Sequence, residues 1–246
     1  MKVPGTGKKN IQMDIGDEKM KISIVIPALN EEKGIGHTVQ AIPRGELQKM
    51  GYDVELIVVD NGSTDNTSKI AADAGARVIL EPKRGYGSAY KTGFANAKGD
   101  YIVTSDGDLS YPVQDIPMLV DMARKENLGF ITTNRFADID KDAMSIQNKI
   151  GNGILNIAMR VLFNANIIDS QSGMWVIKKE VLDRLILRSD GMPLSEEIKL
   201  EACFYGKCTW KEVPIKYKAR VGKVKLRVWR DGIQNLLYLI KKRIKR

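Results

Sequence analysis

Two carboxylates stand one residue apart in "TSDGDLSYP" (104–112): Asp106 and Asp108. On extended backbone, alternation points both side chains the same way, and Gly107 between them lets the chain approach a ligand closely. Like charges that near repel each other, so the pair calls for a cation. Oxygen ligands alone suit Mg²⁺ or Mn²⁺, which keep open positions for phosphate oxygens. A divalent ion on Asp106 and Asp108 that bridges to a diphosphate would make it a better leaving group. The bland alternative is an acidic turn, and the spacing alone does not separate the two.

Other residues sort by what chemistry their surroundings allow. Asp60 closes the apolar run "VELIVVD" and can accept a hydrogen bond from a nucleobase ring N–H; Ser63, Thr64 and Asp65 after it read as helix caps. "RGYGSA" (84–89) has the glycines of a phosphate cradle but lacks the Lys-Ser/Thr of a P-loop. It reads equally as a turn that packs a helix closely on a sheet, with Arg84 free to meet a phosphate. His37 is the only histidine and has no carboxylate partner at helical spacing, which argues against a histidine-based triad. Cys203 and Cys208 flank "FYGK", match no zinc spacing and read as small core or surface residues.

The elements that position these residues follow from pattern. Short apolar runs at 21–29, 54–60, 77–81 and 101–106 read as strands, and the Gly- and cap-bearing segments between them as helices. That alternation predicts an α/β fold with a Rossmann-like, mostly parallel central sheet and helices on both faces. In such sheets ligands bind at the carboxyl ends of strands, where Asn30, Asp60 and Asp106 all fall. Farther on, "QDIPMLVDMARKE" reads as a helix and "LGFITTNRF" as a strand ending at Arg135. "SGMWVI" and "TWKEVPIKYKAR" read as strands around the helix "SEEIKLEACFYG". Ile146, Ile150, Ile154, Ile157, Val161 and Leu162 keep helical spacing, so 143–163 is an amphipathic helix whose stripe is expected to pack in the core, with a second apolar surface as the alternative. Residues 1–20 read as a flexible arm and 21–217 as one catalytic domain, with a nucleotide half (21–112) and an acceptor half (113–217).

Charge sets the last segment apart. The 246-residue chain carries a net +9, yet Lys218 to Arg246 holds eleven Lys and Arg against Asp231 alone, a net +10. The preceding 217 residues therefore sum to −1. Trp229, Ile233, Leu236, Leu237, Ile240 and Ile244 lie on one helical stripe, with cations crowding its end. A basic amphipathic helix of this kind lies in an anionic membrane surface. Aromatic interleaving and RNA-binding motifs are missing, which argues against nucleic acid. The first residues lack the apolar core of a signal peptide, and no run approaches the roughly 18 apolar residues of a span.

Taken together, "SIVIPALNEEKGI", "IVVDNGSTDNT", "RGYGSAYKTGF", "TSDGDLSYP", "DSQSGMW" and "EVPIKYKARVGKVKL" resemble, in order over 22–226, the family 2 inverting nucleotide-sugar glycosyltransferases of GT-A fold. Within that family the chain resembles the dolichyl- and polyprenyl-phosphate sugar synthases, through Ser172-Gly173-Met174 and Arg220-Val221-Gly222-Lys223-Val224-Lys225-Leu226. It departs from their pattern at Asn61, Ser110, Ile168 and Val224. These departures weaken a GDP-mannose donor, and "DSQSGMW" is similar to archaeal-like members using UDP-N-acetylglucosamine or a UDP-hexose. The resemblance implies that Pro27, Asn30, Glu31, Asp60, Asn61, Arg84 and Gly107 hold the nucleotide sugar, and that Asp106 and Asp108 hold Mg²⁺ or Mn²⁺. It implies that Arg135, Ser172, Arg220 and Lys225 face the acceptor phosphate or leaving diphosphate.

A phosphate acceptor changes what the site must do. Its second pKa lies near 6, so it attacks without surrendering a proton to a base. Cations would orient it better than a carboxylate, and Asp169 would position rather than deprotonate. The acceptor would be dolichyl or another polyprenyl phosphate, and the enzyme peripheral at the cytoplasmic membrane face through residues 218–246. The alternatives are a GDP-mannose-dependent synthase, a family 2 transferase acting on a sugar hydroxyl, and a non-catalytic nucleotide-sugar sensor. The intact Asp106 and Asp108 argue against the last.

Overall fold

The computed structural model describes residues 19–225 and 228–245. Apart from Lys19 and Met20, the arm expected over 1–20 lies outside the described residues, as do Leu226, Arg227 and Arg246.

Alternation builds the sheet. On β1 (Lys21–Ala28), Ile22, Ile24 and Ile26 join one apolar cluster while Val25 joins another. β2 (Asp53–Asp60) divides likewise, Val58 to the first face and Ile57 and Val59 to the second. Both faces are therefore covered. Helices α1 (Ile35–Ala41), α2 (Arg44–Lys49), α3 (Thr67–Asp73) and α5 (Ile116–Lys125) lie on one. Helices α4 (Tyr86–Asn96), α7 (Lys179–Leu182) and α8 (Leu194–Lys199) lie on the other. Each large side chain so enclosed contributes roughly 1.5–3 kcal/mol.

With β3 (Arg77–Leu80), β4 (Tyr101–Thr104), β5 (Phe130–Ile139), β6 (Trp175–Lys178) and β7 (Trp210–Tyr217), the sheet has seven strands in the order β3-β2-β1-β4-β6-β5-β7. Only β6 runs antiparallel to its neighbours. This is the α/β arrangement expected from the sequence. It brings the carboxyl ends of β1, β2, β4, β5 and β7, and the amino end of β6, to one edge. Ala28 pairs with Asp60 and Val25 with Thr104, so residues 29–31, 60–61 and 105–108 emerge side by side.

One expectation fails. Ser145 caps α6 (Ile146–Phe163), accepting from the Asn148 N–H at 3.2 Å. The isoleucine stripe of α6, expected in the core, is exposed: 51% at Ile154, 58% at Ile150, 63% at Ile157, 75% at Ile146 and Val161. The helix buries a different face. Leu155 and Met159 pack with Leu200 and with Leu239 of α9 (Val228–Ile244) in a third apolar cluster. Helical spacing reveals an apolar face but not what covers it. α9 is likewise two-sided, with Leu239 buried and Leu236 packed beside it, while Trp229, Ile233, Leu237, Ile240 and Ile244 face outward.

Candidate active site

The Asp pair hangs from the end of β4. The Asp108 carboxylate accepts from the Ser110 N–H at 3.0 Å and from the Ser110 hydroxyl, which fixes its orientation. Asp106 faces the 169–173 segment: a Cβ on Gly173 would stand 3.6 Å from Asp106 Oδ1 and 2.6 Å from the Tyr86 hydroxyl, so only glycine fits there. Burial first, and the Asp108 charge second, push Asp106 up to about 7. A nearby cation would let Asp106 ionise. Among the described residues no cluster of three His, Cys, Asp or Glu exists to hold an ion alone. Two hard oxygen donors at a cavity wall fit a divalent ion whose shell a ligand's phosphates complete.

At one end, a cavity of about 390 Å³ is lined by Pro27, Glu31 and Asn61 together with Asp106, Gly107 and Asp108. Three expected nucleotide residues are not among those lining it; each holds a neighbouring turn. Asp60 accepts from the Ser63 N–H at 2.8 Å and from the Ser68 hydroxyl. Asn30, at a left-handed φ of 51°, accepts from the Thr64 N–H at 2.8 Å. Arg84 donates to the Gly62 carbonyl at 2.7 Å. Asn61 does line the cavity while its amide donates to the carbonyls of Glu81 and Lys83. The "RGYGSA" glycines serve packing: Gly85 has φ 148°, and a Cβ there would fall 2.2 Å from the Asp190 carbonyl oxygen.

Cations gather farther along the edge. Arg135 holds Asp169 in a bidentate pair, Nε to Oδ2 at 2.7 Å and Nη2 to Oδ1 at 2.8 Å. Burial alone would raise the Asp169 carboxyl, but Arg135 outweighs it and keeps the group below its ordinary value. Residues 218–225 strap across the Asp pair, with the Lys218 N–H on the Ser110 carbonyl at 3.0 Å and the Val221 N–H on that of Asp108 at 2.9 Å. The strap brings Arg220 to 2.8 Å from Glu31 and 3.2 Å from Asp108, and Lys225 onto Glu31. Ser172 does not join them. It is fully buried, its hydroxyl 2.6 Å from that of Thr133, and it is not among the residues lining the cavity.

Sequence reasoning missed the parts that brace this end. Lys199, fully buried, donates to the carbonyls of Ser170, Ser172 and Ser195 at 2.9, 2.7 and 3.2 Å. Its burial lowers the ammonium to about 8. Gln171 donates to Glu196 at 2.8 Å and accepts from Asn235 of α9 at 2.8 Å. Burial pushes the Glu196 carboxyl up to about 8. Tyr111 accepts from the Gly173 N–H at 2.7 Å. Tyr111 lies in "DLSYP", beside the Asp pair, where its position signals a role; Lys199 and Glu196, in "SEEIKLEA", look like ordinary helix-surface charges.

The family model for Glycosyl transferase family 2 matches residues 23–186. The chain is 32% identical over 221 residues, 89% of its length, to the low-salt glycan biosynthesis hexosyltransferase Agl6 of Haloferax volcanii, and spans 53% of that protein. The chain thus spans about half the length of this relative. It is 29% identical over 211 residues to a dolichyl-phosphate hexose transferase of the same organism, covering 86% of this chain and 89% of that one. Among solved structures, glucosyl-3-phosphoglycerate synthase from Mycobacterium tuberculosis, in complex with Mn²⁺, UDP and glucosyl-3-phosphoglycerate, shares the fold. Its TM-score is 0.71 at 23% identity, over 91% of this chain and 80% of that one.

Proposed function

Because the chain belongs to glycosyl transferase family 2, we propose that it moves a sugar from a nucleoside-diphosphate sugar to dolichyl or another polyprenyl phosphate, with inversion. UDP-N-acetylglucosamine or a UDP-hexose is the favoured donor. The observation that carries this reading is the set of cations beside the Asp pair. Arg135, Arg220 and Lys225 stand there, and the nearby Asp169 is engaged on both oxygens by Arg135. A deprotonated phosphate needs orienting cations and no base. The name of the dolichyl-phosphate hexose transferase relative supports the same acceptor class.

In this reading Pro27, Glu31 and Asn61 contact the nucleoside, with Asn30, Asp60 and Arg84 holding the turns behind them. Asp106 and Asp108 hold Mg²⁺ or Mn²⁺, which when bound offsets charge on the departing diphosphate. Arg220 and Lys225 exchange Glu31 and Asp108 for phosphate oxygens, and Arg135, aimed by Asp169, orients the acceptor for in-line displacement. Ser172 has no part beyond the backbone.

The test is transfer from radiolabelled UDP- and GDP-sugars to dolichyl phosphate with Mg²⁺ or Mn²⁺. One donor should give a chloroform-soluble product, abolished in Asp108→Ala. GDP-mannose as that donor would select the mannose-synthase alternative. No lipid product from any donor, with slow metal-dependent hydrolysis of a nucleotide sugar, would overturn the phosphate reading. One observation favours a hydroxyl acceptor instead: Glu196 has an unpartnered oxygen and sits behind Gln171 of the cavity wall. With its carboxyl near 8, Glu196 as base would make turnover rise through that pH and would make Glu196→Gln inactive. The phosphate reading expects Glu196→Gln to retain turnover with no such rise.

A further inference from the structure

We propose that Gln171 and Asn235 read the sugar of the nucleotide-sugar donor, presenting two carboxamide oxygens to its hydroxyl or N–H groups. The inference rests on the donor half of the proposed function and is independent of the acceptor. It starts from a chain of hydrogen bonds whose direction backbone groups fix. The Asn156 amide donates to the Ile168 carbonyl at 2.5 Å, and its Oδ1 accepts from the Ser170 N–H at 2.9 Å. The Ser170 hydroxyl donates to the same Oδ1 at 2.6 Å, so Ser170 Oγ can only accept from Gln171 Nε2, at 3.2 Å. Gln171 Nε2 also donates to Glu196 at 2.8 Å. Gln171 therefore turns its oxygen to the Asn235 amide N–H, 2.8 Å away, and Asn235 is left with its own oxygen. That oxygen is buried and has no hydrogen-bond partner among the described residues, in a side chain of a residue 3% exposed. A brace between α9 and the 169–173 segment needs only the amide N–H. An unmet buried acceptor is costly, which marks the oxygen as one that a bound donor group satisfies.

Both residues line the active-site cavity. Gln171 stands two residues from Gly173, the glycine against Asp106, so their Cα atoms lie at most ~7.6 Å apart. A sugar on a diphosphate held at Asp106 and Asp108 hangs within reach of that segment. The helices leave room for a ring. On α9, Gly232 shares a face with Asn235; on α6, Gly151 shares one with Asn148, whose Oδ1 is also buried without a partner. Both glycines line the cavity, and a Cβ on either would meet nothing within 4 Å. Glycine inside a helix costs stability relative to alanine, and no neighbour demands these two. Hydrogen-bond polarity selects the ligand. A deprotonated phosphate carries acceptors alone, so oxygens would repel it and the cations of Arg135, Arg220 and Lys225 would take it. Sugar hydroxyls and an acetamido N–H supply the donors that two carboxamide oxygens require.

The test is equilibrium binding to the full chain by calorimetry in the presence of Mn²⁺, without any acceptor. The tightest of UDP-glucose, UDP-N-acetylglucosamine and GDP-mannose is taken, with its analogues that each lack one hydroxyl or the acetamido group, and the matching deoxyfluoro forms. Wild type, Asn235→Ala and Gln171→Met are compared. At one ring position or more, wild type should lose about tenfold in affinity for the deoxy form, the worth of a hydrogen bond. The deoxyfluoro form should bind as weakly there, because fluorine accepts but donates nothing. Asn235→Ala should bind the parent sugar about tenfold more weakly and lose nothing further with that deoxy form, a coupling that a mere brace would not show. Gln171→Met should show the same coupling at the same or an adjoining position. The wild-type series stands even where a variant fails to fold. Equal losses in Asn235→Ala for every analogue, a flat wild-type series, or a fluoro form that binds like the parent would each overturn the proposal. Position-specific coupling in a chain that transfers to no lipid phosphate would uphold it while the acceptor reading fails.

Discussion

Asp169 and Arg135 form a buried pair whose geometry decides what a conservative change would do. Asp169→Asn would set an amide N–H against the guanidinium and leave Arg135 partly unpaired. Breaking one partner of such a pair costs about 3–5 kcal/mol. The expected outcome is a large loss of both melting temperature and turnover, and because the Asp169 carboxyl is held low, the loss should be flat from pH 6 to 9. A loss that tracked a titrating group would instead make Asp169 a base. Glu196 gives the opposite signature. Burial raises its folded pKa to about 8 from the ordinary 4.5, so the folded state binds the additional proton. The stability it lends is fully present below the unfolded value and is lost as pH rises through about 8. Melting of the wild type should therefore fall between pH 5 and 8, and Glu196→Gln should flatten that slope. An unchanged slope in the variant would show that Glu196 is ionised in the fold.

The strap of residues 218–225 acts at the scale of the element. It continues from β7 across the end of β4, so a basic segment with no regular structure becomes a wall of the site. Arg220 occupies one face of Asp108 at 3.2 Å, where it would compete with a metal ion held as proposed. Arg220→Ala should bind Mn²⁺ about fivefold more tightly, the worth of an ion pair near 1 kcal/mol, while sugar transfer falls. Paramagnetic titration of Mn²⁺ checks the first, and weaker binding in the variant would mean that Arg220 orders the pair rather than competing with the ion. The sheet edge that creates this encounter was legible in the sequence, because apolar runs ending in Asn30, Asp60 and Asp106 mark strand ends that a parallel sheet must align. The brace behind it was not. Lys199 sits in a polar-looking helix, and nothing local says that Ser170, Ser172 and Ser195 will offer it three carbonyls. The α6 stripe is visible as a pattern, but spacing fixes only an apolar face, and tertiary packing decides between the core and the exposed surface.

At the scale of the whole molecule, the charge asymmetry and the packing of α9 act together. The last 29 residues carry +10 against −1 for the rest, so the field points an anionic surface toward α9. Yet α9 is not a detachable tail. Leu239 is fully buried beside Leu155, Met159 and Leu200, Lys242 pairs with Glu197 and Glu201, and Asn235 reaches Gln171 at the cavity wall. Deleting residues 229–246 would open that cluster and strand two buried carboxylates. Loss of a buried leucine alone costs about 2–5 kcal/mol, and for a chain of this size each kcal/mol shifts melting by roughly 2–4 °C. The truncated chain should thus melt roughly 10 °C lower and aggregate, rather than appear as a soluble, active domain. Ile233→Glu with Leu237→Glu changes only the outer stripe and should keep the wild-type melting temperature. A truncated chain that melted normally would mean that α9 contributes nothing to the fold, and the link from α9 through Asn235 to Gln171 would fall with it.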